Sequence, residues 1–295
     1  MSSPVPVIAV TAGDPSGIGP EIAVKAARDP RVVAACRTVI YGPHTPESLR
    51  PFPAGEVSAE SARAAYDAIV LATADALAGR VAGIATAPIN KAAFAAAGLA
   101  WRGHTDLLAH LCGTPDVAMM FWSDRLRVVL ATVHIPLSEV PAALTGERLF
   151  EVIRLTSASL PRFGLAQPRL ALAGLNPHAG EDGVLGREEI DVFRPAVARA
   201  RAAGIDVSGP FPADTLFVRA ARGEFDVVIA AYHDQGLVPV KLLAFGRAVN
   251  VTIGLPIVRT SVDHGTAFDL ARKGLADEGS LTEAILLAAR LAVTK

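Results

Sequence analysis

Three of the seven histidines in this 295-residue chain stand directly after an apolar run: His134 in ATVHIP, His178 in LNPHAGEDG and His233 in AAYHDQG. Neutral imidazole is the commonest protein ligand for divalent transition ions. Three of them leave coordination positions open for a substrate's hydroxyl and carboxylate oxygens. In a parallel α/β sheet, side chains at the carboxyl ends of strands converge on one ligand crevice even when they are far apart in sequence. Taken singly, each histidine reads as a polar residue finishing a strand; taken together, the three suggest a metal site.

A second group of residues suits an anion. Lys241, Asn250 and Arg259 lie in apolar, turn-rich sequence, VPVKLLAFG and LPIVRTSVD, where an unpaired charge would be costly, so an anionic partner is expected. His104 and Thr105 in RGHTD, and His264 in DHGT, sit beside glycines, which allow a small ligand to approach closely; a turn-stabilising role is an equal alternative. The loop GDPSGIGPE, residues 13–21, places three glycines before a helix start and could hold an anion on backbone N–H groups. Its spacing fits neither the dinucleotide fingerprint nor the P-loop, so a structural turn is at least as good a reading.

The elements that must position these groups alternate between short β-branched runs and helical patterns, the signature of crossover units around mostly parallel sheets. Strands are expected at 7–12, 37–42, 83–90, 117–123, 126–136, 170–175, 225–231, 248–253 and 257–259. Helices are expected from Pro20 to Arg28, Ser58 to Ala78, 91–97, Thr105 to Gly113, Thr145 to Leu160, Glu188 to Ala203 and Thr282 to Ala292. The length exceeds one comfortable core, so two α/β domains are expected, one of residues 1–102 with 238–295 and one of residues 103–237.

With 28 basic and 29 acidic residues and no basic run, the chain lacks the electrostatic footprint of a nucleic-acid or polybasic membrane surface. Cys36 and Cys112 form no C-x-x-C and read as reduced cytoplasmic thiols. The start, MSSPVPVIAVTAGDPSG, lacks a charged n-region, and no apolar stretch reaches a membrane span, so a soluble cytoplasmic protein is expected.

Eight segments occur in order along nearly the whole chain: GDPSGIGPEIA, TAPINKAAF, GHTDLLA, LATVHIPL, GLNPHAGEDG, GPFPADTLF, AYHDQGLVPVK and VNVTIGLPIVRTSVDHGTAFDLA. Together they resemble the 4-hydroxythreonine-4-phosphate dehydrogenase family of the vitamin B6 pathway. The resemblance implies two α/β/α domains with mostly parallel sheets, an interdomain cleft like that of isocitrate and isopropylmalate dehydrogenases, and a homodimer. It places one divalent ion (Zn, Mg, Mn or Co) on His134, His178 and His233, with His233 serving the neighbouring subunit's site. Substrate contacts fall on His104, Thr105, Lys241, Asn250 and Arg259. In the chemistry, His104, Asp234 and Lys241 are the expected catalytic residues: Lys241 with Arg259 positions the anionic ends of the substrate, and His104 or a nearby carboxylate such as Asp234 helps to move the proton. The chain departs from the family pattern in a short 41–58 region, in GLVPVK for the commoner GLPVLK, and in Asp182 where Gly is usual.

The implied reaction oxidises 4-phosphooxy-L-threonine with NAD or NADP to a 2-amino-3-oxo acid, which decarboxylates to 3-amino-2-oxopropyl phosphate for pyridoxal 5'-phosphate. Related enzymes acting on 4-phospho-erythronate or threonate, or on a carboxylated cis-dihydrodiol, are the alternative. Further readings are a metal-assisted hydrolase using Asp214 and Asp234 to activate water, and a non-catalytic binding protein on the same scaffold.

Overall fold

The computed structural model describes residues 5–101 and 103–293; Arg102, the expected end of the first domain segment, lies outside the described residues. The chain forms two compact units, residues 1–117 with 249–295 and residues 118–248. These divisions fall later than 102/103 and 237/238, which moves His104 and Thr105 into the first unit and Lys241 into the second. The reason is packing. Leu107 and Leu108 are buried in the first unit's core with Ile69, Ile84 and Phe94, and Leu237 and Val240 in the second unit's with Val128 and Val228.

The first unit opens with β1 (Val7–Thr11), α1 (Gly19–Ala27), α2 (Pro30–Ala35), β2 (Arg37–Tyr41), α3 (Ala59–Leu77), β3 (Gly83–Thr86), α4 (Lys91–Ala96) and α5 (His104–Leu111). The short α2 was not expected. It is started by Asp29, whose side chain accepts from Arg31 N, with Pro30 at the first helical position. The second unit follows with β4 (Ala118–Trp122), β5 (Arg127–Leu130), α6 (Val140–Ala143), α7 (Gly146–Ser159), β6 (Leu170–Ala173), α8 (Arg194–Ala202), β7 (Val207–Phe211), α9 (Ala213–Ala221), β8 (Val227–Ala230) and α10 (His233–Ala244). The chain then completes the first unit with β9 (Val249–Ile253), β10 (Arg259–Ser261) and α11 (Gly279–Val293).

In the first unit the strand order is β2-β1-β3-β10-β9, all parallel except β9, which runs against β10. Every residue of β3 is buried, as expected of a strand covered on both faces. Ile84 faces the cluster of α3, α4 and α5, while Thr260 on the other face donates to Ala284 O of α11 at 2.8 Å. In the second unit the order is β4-β5-β8-β6-β7. There β4 and β5 form an antiparallel hairpin whose turn is tied by Ser123 Oγ accepting from Leu126 N, and the other pairings are parallel. Among the described residues no helix is long and apolar enough to cross a membrane.

The glycines of the 13–21 loop are accounted for by packing. Gly13 has φ +69°, and a Cβ there would lie 2.3 Å from Pro88 O; on Gly19 it would lie 2.1 Å from Ala12 O. Gly19→Ala therefore forces the start of α1 away from β1, and a loss of about 1–3 kcal/mol is expected in urea denaturation. An unchanged midpoint would mean that the close approach is not required.

Candidate active site

Two groups of chemically competent side chains stand out, one in each unit. In the second unit, β5 ends at Leu130 rather than continuing to 136, because the chain there turns to bind the end of β8. Ala131 N donates to Ala230 O at 2.8 Å, and Thr132 Oγ1 donates to Ala231 O at 2.8 Å. With the two strand ends tied, His134 follows β5 in the left-handed region, φ 45°, and His233 opens α10. Their ring centroids are 5.5 Å apart at 43°. Both line an open cavity of about 260 Å³ with Thr132, Tyr232 and Asp234. Asp234 Oδ1 lies 2.7 Å from His233 Nδ1, the carboxylate–imidazole arrangement that fixes a tautomer and leaves Nε2 to bind a ligand. The two imidazoles are donors of the type that suits a divalent transition ion, and Asp234 acts on one of them rather than as a third donor.

His178 lies on a different turn. Residues 178–183 all have positive φ (52°, 53°, 82°, 44°, 51° and 97°), a stretch of left-handed backbone that L-residues adopt at a cost. A fully buried carboxylate holds it: Glu189 Oε1 accepts from Asn176 N at 2.7 Å and Oε2 from Asn176 Nδ2 at 3.0 Å. A Cβ on Gly180 would stand 2.7 Å from Glu189 Oε2, so the glycine admits the carboxylate. Asp182 has φ 51°, a conformation suited to the glycine common there, and pairs with Arg194. His178 itself is exposed, with Nδ1 2.8 Å from Glu181 Oε2. Gln235 joins the root of this turn to the His233 segment, its Nε2 donating to Gly174 O and its Oε1 accepting from Ala231 N, each at 2.7 Å. Among the described residues no three His, Cys, Asp or Glu side chains of one chain are grouped to hold a metal ion. Thus the structure brings His134 and His233 together and leaves His178 apart.

Of the residues suited to an anion, Arg259, Asn250, His104 and Thr105 lie in the first unit. Arg259 opens β10 only 2 % exposed, and burial pushes its guanidinium down to about 9, so it is charged at neutral pH. Two hydroxyls meet it: Nη1 donates to Thr252 Oγ1 at 2.9 Å and Nη2 to Thr86 Oγ1 at 2.8 Å. Its Nε, Asn250 Oδ1 and His104 Nε2 are buried without hydrogen-bond partners. His104 and Thr105 occupy the first turn of α5, both half-buried. Burial, with a smaller contribution from the Arg259 charge, holds the His104 imidazole well below the usual histidine range.

Because the unfolded chain would protonate His104 at a pH where the folded chain does not, its contribution to stability is complete above the ordinary histidine range and is lost as pH falls below it. Between about pH 7 and pH 5 the wild type should lose stability with a slope up to about 1.4 kcal/mol per pH unit steeper than His104→Gln. Parallel urea-midpoint curves for the two proteins would show that the imidazole titrates normally.

Lys241 is half-buried on α10 and not at a strand end. His264 is exposed, its Nδ1 2.9 Å from Gly265 O. Asp214 is exposed at the head of α9, accepts from Thr215 N, and is not on the wall of the histidine cavity, so the hydrolase reading loses one of its two carboxylates there. Sequence reasoning missed Thr86, Thr252, Glu189 and Gln235, because a hydroxyl, carboxylate or amide acting on a neighbour carries no spacing of its own. It also missed Asp14, which is buried with Oδ2 unpartnered and its pKa raised by burial.

Two units, each built on a mostly parallel sheet, form an α/β fold seen also in dehydrogenases. A β-decarboxylating dehydrogenase of Thermococcus kodakarensis shares that fold, with TM-score 0.53 at 16% identity over 96% of this chain and 81% of the other. Residues 21–288 match the family model described as pyridoxal phosphate biosynthetic protein PdxA, and the chain belongs to that family. A 4-hydroxythreonine-4-phosphate dehydrogenase of Desulforapulum autotrophicum is 46% identical over 98% of this chain and 96% of its own length. A D-threonate 4-phosphate dehydrogenase of Cupriavidus necator is 42% identical over all of both chains. The crystal structure of a 4-hydroxythreonine-4-phosphate dehydrogenase from Klebsiella pneumoniae aligns with TM-score 0.88 and 41% identity over 99% of each chain. The resemblance read from the ordered motifs is thus borne out at the level of family and fold.

Proposed function

We propose that the chain is a metal-dependent dehydrogenase of 4-phosphooxy-L-threonine, with NAD or NADP as second substrate. The observation that carries this reading is the buried Arg259, positively charged and facing hydroxyls instead of a carboxylate, in a chain whose relatives are named for phosphorylated hydroxy acids. A charge so placed is costly until an anion joins it.

In the reaction, the C3 carbon gives hydride to the nicotinamide and the C3 hydroxyl gives up its proton. The resulting 3-oxo acid loses its carboxylate as carbon dioxide, and the electron pair left on C2 takes up a proton. A divalent ion on the imidazoles, when bound, lowers the pKa of the alcohol and polarises the carbonyl. Arg259, Asn250 and Thr105 hold the phosphate, and Lys241 balances the remaining negative charge of the substrate. His104, kept neutral, contributes a hydrogen bond and not a charge. Asp234 orients His233 and is the carboxylate on the cavity wall available to take the alcohol proton.

The three-imidazole metal set is completed in a homodimer, with His233 serving the neighbouring subunit's site. The helix that His233 opens supports this, because Val238 and Leu242, one turn apart, are 64% and 84% exposed and Phe245 just past its end is 78% exposed, an apolar patch suited to a second copy.

The test is a panel assay of 4-phosphooxy-L-threonine, D-threonate 4-phosphate and 4-phospho-erythronate with NAD and NADP and with Zn, Mg, Mn or Co, read as growth of the reduced-nicotinamide absorbance. Preferred turnover of 4-phosphooxy-L-threonine supports the reading. Preference for D-threonate 4-phosphate, which carries a hydroxyl in place of the C2 amine, gives the second reading, favoured by the C. necator relative. No reduction of either nicotinamide, with phosphate release instead, would sink both.

A further inference from the structure

We propose that Thr86 and Thr252 are positioning residues for anion recognition, holding the Arg259 guanidinium by its two terminal nitrogens so that its remaining donors stay aimed and charged. The proposal rests on the reading of Arg259 as the group that binds the substrate's phosphate.

The register of the first unit's sheet produces both contacts. Strands β9 and β10 pair antiparallel with Thr260 against Val251 and Ser261 against Asn250; one step further along this ladder sets Arg259 against Thr252. Strands β3 and β10 pair parallel with Arg259 against Ile84 and Ser261 against Thr86, so Thr86 is the diagonal neighbour of Arg259. Because side chains alternate along a strand, Arg259, Thr252, Asn250, Thr86 and Ser261 share one face of the sheet. Thr260, one residue on, points to the opposite face and binds α11 through Ala284 O.

The chemistry of the two partners separates this arrangement from an ordinary buried ion pair. A carboxylate beside Arg259 would neutralise it and compete with an incoming anion. A hydroxyl accepts a hydrogen bond and leaves the charge intact. Thr86 Oγ1 also has Thr260 O at 3.5 Å as an acceptor for its own proton, so that accepting from the guanidinium at 2.8 Å is its stronger contact. Thr86 is 0 % and Thr252 3 % exposed, so neither contact is diluted by water. The two threonines occupy two of the five N–H donors of the guanidinium and leave Nε among those unsatisfied. A planar group pinned at two nitrogens has lost its rotational freedom before the anion arrives, and that cost is no longer subtracted from binding.

The experiment uses the full-length protein with Thr86→Val, Thr252→Val and the conservative Thr86→Ser and Thr252→Ser, each alone and combined with Arg259→Met. Two quantities are measured: the Kd for inorganic phosphate by calorimetry, and KM and kcat for the phosphorylated substrate. Each valine variant is expected to raise the phosphate Kd and the KM about tenfold with kcat within about twofold, as for loss of one charge-assisted hydrogen bond. Each serine variant should return close to the wild-type values. In the Arg259→Met background the valine substitutions should change neither quantity, since they act only through the guanidinium. A valine variant that leaves Kd and KM at wild-type values while Arg259→Met raises both overturns the proposal and spares the reading of Arg259. Unchanged Kd and KM in Arg259→Met overturns that reading itself. If one valine variant does not fold, the other and its serine counterpart decide the matter, because both threonines hold the same group.

Discussion

Arg259→Met is expected to raise the KM for the phosphorylated substrate by roughly 10²–10³-fold while leaving the urea midpoint unchanged or higher. The two effects have one cause. In the unliganded protein the guanidinium is buried, charged, and met by two neutral hydroxyls, with Nε unsatisfied. Removing it relieves the fold of a desolvated charge, an effect of several kcal/mol. Against this stand two threonine hydroxyls that lose a hydrogen-bond donor, at about 1 kcal/mol each. Methionine has similar reach and flexibility, which limits the cavity left behind. Binding changes in the opposite direction, because a phosphate entering the variant site meets no cation. Steady-state kinetics with a denaturation series on the same preparation measures both. A large fall in stability with KM unchanged would make Arg259 a structural residue and remove the main support for a phosphate site in the first unit.

Much of this was legible in the sequence, for reasons that differ between elements. The strands β1, β3, β6 and β8 are short apolar runs, and their buried pattern in the structure is what that composition requires. The helix α10 was not legible. Its sequence HDQGLVPVKLLA contains Gly236 and Pro239, which read as turn residues, yet Gly236 is there for packing. A Cβ on it would lie 2.7 Å from Leu130 and 2.8 Å from Val128, so the glycine lets α10 rest on β5. His233 consequently opens a helix instead of ending a strand, and Lys241 belongs to the second unit. The left-handed run at 178–183 was also hidden, because only Gly180 and Gly183 in it carry a familiar backbone signal, while the carboxylate behind it comes from Glu189. The pairing of His134 with His233 could be guessed from their places after apolar runs, but not its geometry, which depends on the ties between residues 131–132 and 230–231. Hydroxyl partners of Arg259 were illegible for a simpler reason: threonine is a common strand residue, and only register makes these two special.

The second large effect is expected at His134, and the design of the variant follows from its backbone. His134 has φ 45°, where alanine would add strain to the loss of the imidazole and confound the result. Asparagine tolerates the left-handed region, so His134→Asn removes the ring while keeping the turn between β5 and α6. If His134 is a metal ligand, the purified variant should bind less Zn or Co than the wild type after dialysis, and kcat should fall by at least about 10²-fold, the several kcal/mol that a Lewis acid supplies. The thermal midpoint of the metal-free variant should match that of the metal-free wild type, because His134 is exposed at the cavity rim and contributes little to the core. The stabilisation that added metal gives the wild type, which follows mass action, should be weakened or lost in the variant. Equal metal stoichiometry, together with an undiminished metal-dependent rise in midpoint, would show that His134 holds no ion. The pair it forms with His233 would then have to be read as a proton-handling site facing the substrate directly.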